Sequence, residues 1–508
     1  MIMKTITLIL LVLSFISGKS QEIDVAYQEI EIHIPGEPGP WLKYKDKYYC
    51  YFGRDNDMFS TGYTQYFYVL DKKGRILSEV EVPEELQTFY YDLYIKNDTI
   101  FTTEYYENET FWLNENKQKW QKTNKGIDLH YEDKDYVVYC RDFGEWGGVT
   151  WFEDKLTKIQ YEVGAITPII NKHNNSYYLT ESHSIIKIDD PKKLELSNHQ
   201  YDYKRAVLSE RYWREGSYDT RGTEILFEKT DDNYFNPTFS IATSFAINNQ
   251  LYHLYSDSIS TKIGILQENK LIPVYTFTSK LKPFYHNYDT RNRIQNNRYQ
   301  TVQFTTESKH VYGIIEIDDK RVNVITFNNT YREQVYGEQY INKWVENVFD
   351  YYLSNFNKLN LQQIDEIEQK EKARDLTQRH KMTHYLLKEK DIETPRVYRK
   401  IENELVSLLT MYYYSTQEKT IELIEFQWTS NRNYDRNMDH VEYLSRLEEV
   451  EKEREILYEK RYENLVYFLS EKFGNPNVIK DNGTQIWKIN NVVIELSDRA
   501  TQLIMYKR

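Results

Sequence analysis

The sequence predicts a mainly β N-terminal domain, a β-propeller, followed by a C-terminal α+β module, on three observations. Polar turns recur in pairs between short β-branched and aromatic runs, the pairs recur at a blade-sized interval, and beyond Thr330 the apolar period changes from that of a strand to that of a helix. The domains expected are a signal peptide at 1–20, the propeller at 21–330 and a helical and α+β domain at 331–508.

The first turn of each pair falls at 45–47, 96–98, 132–135, 173–175, 248–249 and 307–309. Asn- and Asp-rich turns between such runs are hairpin signals. A second turn follows each first one, at 71–74, 114–117, 153–155, 189–192, 267–269 and 318–320, so each unit carries two hairpins and four strands. Taken at 72, 116, 154, 190, 268 and 319, the second turns are 44, 38, 36, 78 and 51 residues apart. Propeller blades repeat at ~40–50 residues. Six blades are therefore expected, with seven as the alternative if the long step hides a blade between 194 and 245. The alternating stretch 23–34 precedes the first unit and is placed to complete the last blade, which removes an open sheet edge.

Within 139–191, the run Gly144-Glu145-Trp146-Gly147-Gly148 before a strand and the later Ile188-Asp189-Asp190-Pro191 resemble stretches of secreted bacterial β-propeller-like proteins of unassigned function. The resemblance covers about a tenth of the chain, implies the fold, and carries no catalytic residue.

Beyond Thr330, 338–356 and 361–391 have helical spacing, and Thr394-Pro395 marks a break before a further helix through Leu409. A strand at 420–428 precedes an amphipathic helix at 439–473, stopped by Gly474 and Pro476. Strands are expected at 485–489, 492–496 and 502–506. The mixed charge run 448–455 reads as a solvated helix face.

Tyr accounts for 47 of the 508 residues and aromatics for 15%. Disordered chains are aromatic-poor, so this one folds, with Tyr rings supplying buried area and hydroxyls that need partners. The Tyr are spread evenly, as a compositional bias would spread them, and many stand beside the hairpin turns. Lys4, the apolar run 6–16 and Ser17-Gly18-Lys19-Ser20 have the pattern of a secretory signal cut after Ser20. An exported protein, periplasmic or extracellular and without a membrane span, is expected. The net charge of −13 opposes binding to phosphate backbones, so nucleic acid is not an expected partner. Cys50 and Cys140 are two repeat units apart and are expected as two buried free thiols, a bridge between them being the alternative.

The chemistry is expected on the propeller face opposite the short turns, where the loops 53–62, 104–110, 141–150, 181–184, 194–222, 255–261 and 282–299 are expected to converge. Arg54-Asp55 and Arg141-Asp142 each open a loop after a Cys-containing run, either as a polar-ligand site or as an ion pair closing the loop. Trp146, beside Glu145, is a stacking platform for a sugar or a packing residue of its blade, and Tyr105 and Tyr285 are the other loop aromatics singled out. Glu181 with His183 and Asp257 with His286 are candidate acid/base pairs. Familiar motifs fail: the Asp-box of sialidase propellers has only a distorted echo at 140–146, and His380 and His384 lack the Glu of a zinc-protease helix. No metal and no cofactor are expected. The function expected is non-catalytic recognition of a glycan or a protein. A carbohydrate-active hydrolase or lyase on the same face and an assembly partner acting through the C-terminal module are the alternatives; fold alone does not decide among them.

Overall fold

The computed structural model describes residues 23–53, 65–86, 93–96, 98–103, 109–123, 129–142, 147–197, 219–229, 238–283, 300–318, 320–356, 358–377, 395–431, 440–497 and 502–507. The chain divides into two compact units, the first ending at Tyr331 and the second beginning at Arg332.

The first unit is a six-bladed β-propeller, with strands lettered A to D in chain order. Blade 1 is Glu37–Tyr44, Lys47–Gly53, Gln65–Asp71 and Ile76–Val80. Blade 2 is Tyr94–Lys96, Thr99–Thr103, Thr110–Asn114 and Lys119–Thr123. Blade 3 is Leu129–Glu132, Tyr136–Asp142, Gly148–Asp154 and Gln160–Val163. Blade 4 is Ile169–His173, Ser176–Thr180, Ser184–Ile188 and Glu224–Glu228. Blade 5 is Phe239–Ile247, Gln250–Asp257, Thr261–Gln267 and Lys270–Thr276. Blade 6 is Lys282–Pro283, Gln300–Thr305, Val311–Ile317 and Val322–Asn329. Strand Val25–Ile32 adds to its outer edge, parallel to Val322–Asn329, as the alternating stretch 23–34 predicts.

The alternation of strand side chains packs the blades. In Lys47–Gly53, Tyr49 and Tyr51 point into the apolar cluster shared with blade 2, while Tyr48, Cys50 and Phe52 point into the cluster shared with blade 6. The tyrosines are thus mortar between sheets. Consecutive left-handed residues at Lys45-Asp46, Asn174-Asn175, Asn248-Asn249 and Glu268-Asn269 give the tight turns whose twist matches a hairpin. Cys50 and Cys140 are free thiols; Cys50 is buried as expected, and Cys140 is only partly buried.

The six blades are the number expected, while the placing of the blade 6 turns and of two long loops departs from the expectation. The 78-residue step carries an insertion within blade 4, between strand C, which ends at Ile188, and strand D, which begins at Glu224 and pairs with it. On its way Glu195–Leu196 pairs with Gln160–Val163 at the outer edge of blade 3. In blade 6 only Val311–Ile317 separates the turns at 307–309 and 318–320, so they lie at opposite ends of one strand. The A–B connection of that blade is 284–299. Both 194–222 and 284–299 therefore join strands at the hairpin-turn end, where Gln300 lies opposite Ile317, and not at the opposite face as expected.

The second unit is an eight-stranded antiparallel sheet in the order Arg374–Asp375, Arg396–Ile401, Val406–Tyr414, Ile421–Ser430, Gln502–Lys507, Val492–Ser497, Gln485–Ile489, Val478–Ile479. One face carries three helices, α1 (Glu338–Asn355), α2 (Leu361–Lys370) and α3 (His440–Phe473). Ion pairs Lys460–Glu338 and Lys472–Asp350 join α3 to α1 at equal steps along both helices, so the two run parallel. The expected helix through Leu409 is instead the strand pair Arg396–Ile401 and Val406–Tyr414. Every residue of the latter is buried, and a strand covered on both faces loses the alternation that would mark it. The helix expected over 361–391 ends at Lys370. Arg454, inside the charge run read as solvated, is 1% exposed.

Candidate functional site

On the face carrying the B–C and blade-to-blade connections, two predicted positions in blades 4 and 5 are described in full. In blade 4, the turn Glu181-Ser182-His183-Ser184 joins strands B and C. Glu181 accepts hydrogen bonds from Ile166 N–H (2.6 Å) and from Ser184 Oγ–H (2.7 Å). Burial pushes its carboxyl above the usual range, against those two bonds. His183 shares a 2.8 Å hydrogen bond between Nδ1 and Ser182 Oγ, so Glu181 and His183 are each engaged by a serine and not by each other.

In blade 5, Asp257 accepts from Ile259 N–H (2.9 Å) and Ser260 N–H (2.8 Å) through one oxygen, and the other pairs with Lys262 Nζ at 2.5 Å. Burial works against the charge, but Lys262 and the two backbone donors outweigh it and hold the carboxyl below its usual range. This is an Asx turn with an ion pair across the hairpin.

Arg141 and Asp142 end strand B of blade 3, opposite Val149 and Gly148. Arg54, Asp55, Tyr105, Glu145, Trp146, Tyr285 and His286 lie outside the described residues, as do His380 and His384. Tyr285 and His286 belong to the connection 284–299. Among the described residues no group of three His, Cys, Asp or Glu is placed to hold a metal ion, and no helix is long and apolar enough to cross a membrane.

The polar groups that residue-type reasoning missed lie between the blades. Asn171 Nδ2 donates to Ser244 Oγ at 2.7 Å from blade 4 to blade 5. Gln300 Nε2 donates to the Ser244 carbonyl at 2.8 Å, and Thr243 Oγ1 donates to Gln300 Oε1 at 2.5 Å, from blade 5 to blade 6. Gln303 Nε2 donates to the Gly39 carbonyl at 2.7 Å, from blade 6 to blade 1. A belt of neutral amides and hydroxyls thus ties four blades near their inner strands. Its one signal in the sequence is polar residues at alternate positions within strand runs.

The second unit buries charges instead. Lys400 Nζ pairs with Glu368, both fully buried, and lies 3.6 Å above the Trp344 ring. Tyr412 OH donates to Glu368 at 2.5 Å and shares a 2.9 Å hydrogen bond with Tyr352 OH. Arg461 pairs with Glu402 at 2.5 Å, and Trp428 Nε1 donates to the same carboxylate at 3.0 Å.

The strands and their order define the first unit as a six-bladed β-propeller carrying an α+β unit on its C-terminal side. No protein family matches the sequence, and no curated protein does. Among solved structures, the chain is similar to a protein of unknown function from Bacteroides caccae at 10% identity, covering 57% of this chain and 99% of that one, with a TM-score of 0.23. An exo-β-1,3-galactanase from Phanerochaete chrysosporium is similar at 8% identity over 60% of this chain and 92% of that one, TM-score 0.22. A β-fructofuranosidase from Bombyx mori is similar at 9% identity over 61% and 89%, TM-score 0.20. Overlaps this shallow identify neither a shared site nor a shared activity, and the six blades rest on this chain's own strand pairing.

Proposed function

We propose that the protein is an exported, non-catalytic binding protein that recognises a glycan or a protein through the propeller face carrying the B–C connections. The observation that carries this reading is the engagement of Glu181 and Asp257 by the fold's own donors. A two-carboxylate hydrolase needs one carboxyl as acid and another as base or nucleophile at a defined separation. Here one carboxylate closes a turn with Lys262, and the other holds the Ile166 backbone and Ser184. Both are spent on loop geometry, which suits a rigid platform.

A glycan array and a pull-down from cell-envelope extract, each repeated with W146A and Y105A, test the proposal. A ligand that either substitution releases, at unchanged melting temperature, supports it. A ligand that both variants retain, or empty results from both experiments, overturns it. Turnover of a glycan by the purified chain that E181Q or D257N abolishes would establish the hydrolase alternative.

A further inference from the structure

The seams between blades are not alike. Between blades 3 and 4, Lys172 is clamped by Asp133 (2.7 Å) and Asp135 (3.1 Å). Between blades 6 and 1, Lys43 pairs with Glu316 at 2.8 Å. Among the described residues no ion pair crosses from blade 4 to blade 5. That seam is held by Asn171 on Ser244, by the Ile241 N–H on the Ser182 carbonyl (2.7 Å), and by Lys229 over the Phe239 ring at 4.4 Å. The small apolar cluster of Ile185, Phe239, Ile241 and Tyr255 completes it.

His253 sits in this seam. It pairs directly across strands with Ser244, so its side chain shares the Ser244 face, the face that Asn171 of blade 4 reaches. The imidazole is fully buried, and neither ring nitrogen has a hydrogen-bond partner. Blade 5 offers this face the phenol of Tyr255 and, at the strand end, Asp257, which is held by Lys262. Blade 4 offers Tyr178 and, in its B–C turn, His183 and Glu181, the latter committed to Ile166 and Ser184. Lys229 adds a positive charge at the rim. Among the described residues no unpaired anion faces the imidazole, and burial pushes its pKa down to about 3.

We propose that His253 is an acid-sensitive latch: on taking up a proton it parts blade 5 from blade 4 and opens the propeller at this seam. A buried imidazolium with no hydrogen-bond partner at either ring nitrogen is strongly disfavoured, and separating the two sheets is the least costly route to water. Because the closed form excludes a proton that the opened form accepts, the contribution of His253 to closure is complete above about pH 6.5. It is lost progressively below that, and each pH unit shifts the opening equilibrium about tenfold toward the open form.

Hydrogen exchange of the full chain between pH 7 and pH 5, corrected for intrinsic rates, tests this. Strands Phe239–Ile247 and Ser176–Thr180 are expected to lose protection about 25-fold in all between pH 7 and pH 5, with the slope approaching tenfold per pH unit only below about pH 6, while Lys47–Gly53 of blade 1 keeps its protection. In H253Q, neutral at every pH and similar in length, the pH dependence at those two strands is expected to vanish. Equal loss in all blades, or the same slope in H253Q, overturns the proposal. If H253Q does not fold, the native chain still decides: seam-localised opening with a one-proton slope sustains the latch, and uniform opening refutes it.

Discussion

Between blades 4, 5 and 6 the buried polar groups are amides and hydroxyls, Asn171, Ser244, Thr243 and Gln300; beneath the helices of the second unit they are full charges, Lys400 on Glu368 and Arg461 on Glu402. The difference follows from what each must hold. A propeller joins similar sheets whose apolar faces already match, and a neutral amide fixes the offset between them at modest desolvation cost. In the second unit a short helix must be set at one angle on a broad sheet. A buried ion pair that is satisfied in one geometry only suits that task, although its stabilising value is small once desolvation is counted. The two units should therefore respond differently to loss of one partner and to pH.

The largest effect is expected at the buried pair. K400M leaves the buried Glu368 carboxyl without its cation, with the Tyr412 hydroxyl still donating to it, and should cost about 3–5 kcal/mol in denaturant unfolding followed on the second unit. The paired change K400M with E368L removes both charges and should recover most of that loss. A loss below about 1 kcal/mol for K400M alone would mean that the charges are not what sets α2 on the sheet.

Acid should separate the two units by sign. Burial pushes the Glu425 carboxyl up to about 7, against hydrogen bonds from Gln502 and Tyr413. Its folded value lies above the ordinary 4.5, so the folded state holds the proton more tightly. The stability this contributes is complete below about pH 4.5 and is lost as the pH rises through 7, by roughly 3 kcal/mol in all. E425Q should flatten that slope in the second unit, measured as unfolding free energy from pH 5 to pH 8. His253 runs the other way, so mild acid should strengthen the second unit's contribution while loosening the first. Parallel pH slopes in both units would break the comparison.

The neutral belt should give a smaller loss than the charged pair. Q300L strips a partner from the Ser244 carbonyl and the Thr243 hydroxyl, and a buried group left unsatisfied costs about 1–3 kcal/mol. Exchange should report the damage at the seam between blades 5 and 6 and leave blades 2 and 3 unchanged. A loss as large as that of K400M would erase the distinction between neutral and charged burial.

These contrasts mark what the sequence makes legible. The polar turns identify the blades because backbone twist demands particular residues there, and Asn174-Asn175 or Asn248-Asn249 can hardly be read otherwise. Blade 6 is out of phase because its A strand is two residues, Lys282–Pro283, too short to leave a pattern. Val406–Tyr414 is opaque for the opposite reason, being covered on both faces. The buried charges are invisible in principle: Lys400 stands in the charge-rich run Arg396–Ile401 and Glu368 in an amphipathic helix, where a charge ordinarily means solvent. Only the pairing of two remote segments makes them core. His253 was within reach, since Leu251, His253 and Tyr255 share a strand face and a lone histidine between apolar residues signals burial.

The smallest effect expected concerns Asp257, which tests whether charge at the propeller's loop face is structural. D257N keeps an oxygen for the Ile259 and Ser260 N–H groups and gives up the ion pair with Lys262, whose two side chains are 25% and 21% exposed. Partly exposed pairs contribute about 0.2–1 kcal/mol, so the melting temperature should fall only slightly. Affinity for any ligand of this face should be unchanged, because the carboxylate's geometry already serves the turn. Loss of binding in D257N with the fold intact would give Asp257 a ligand contact. Charge at the propeller's loops would then be functional, and the neutral belt would be confined to the seams that Asn171, Gln300 and Gln303 cross.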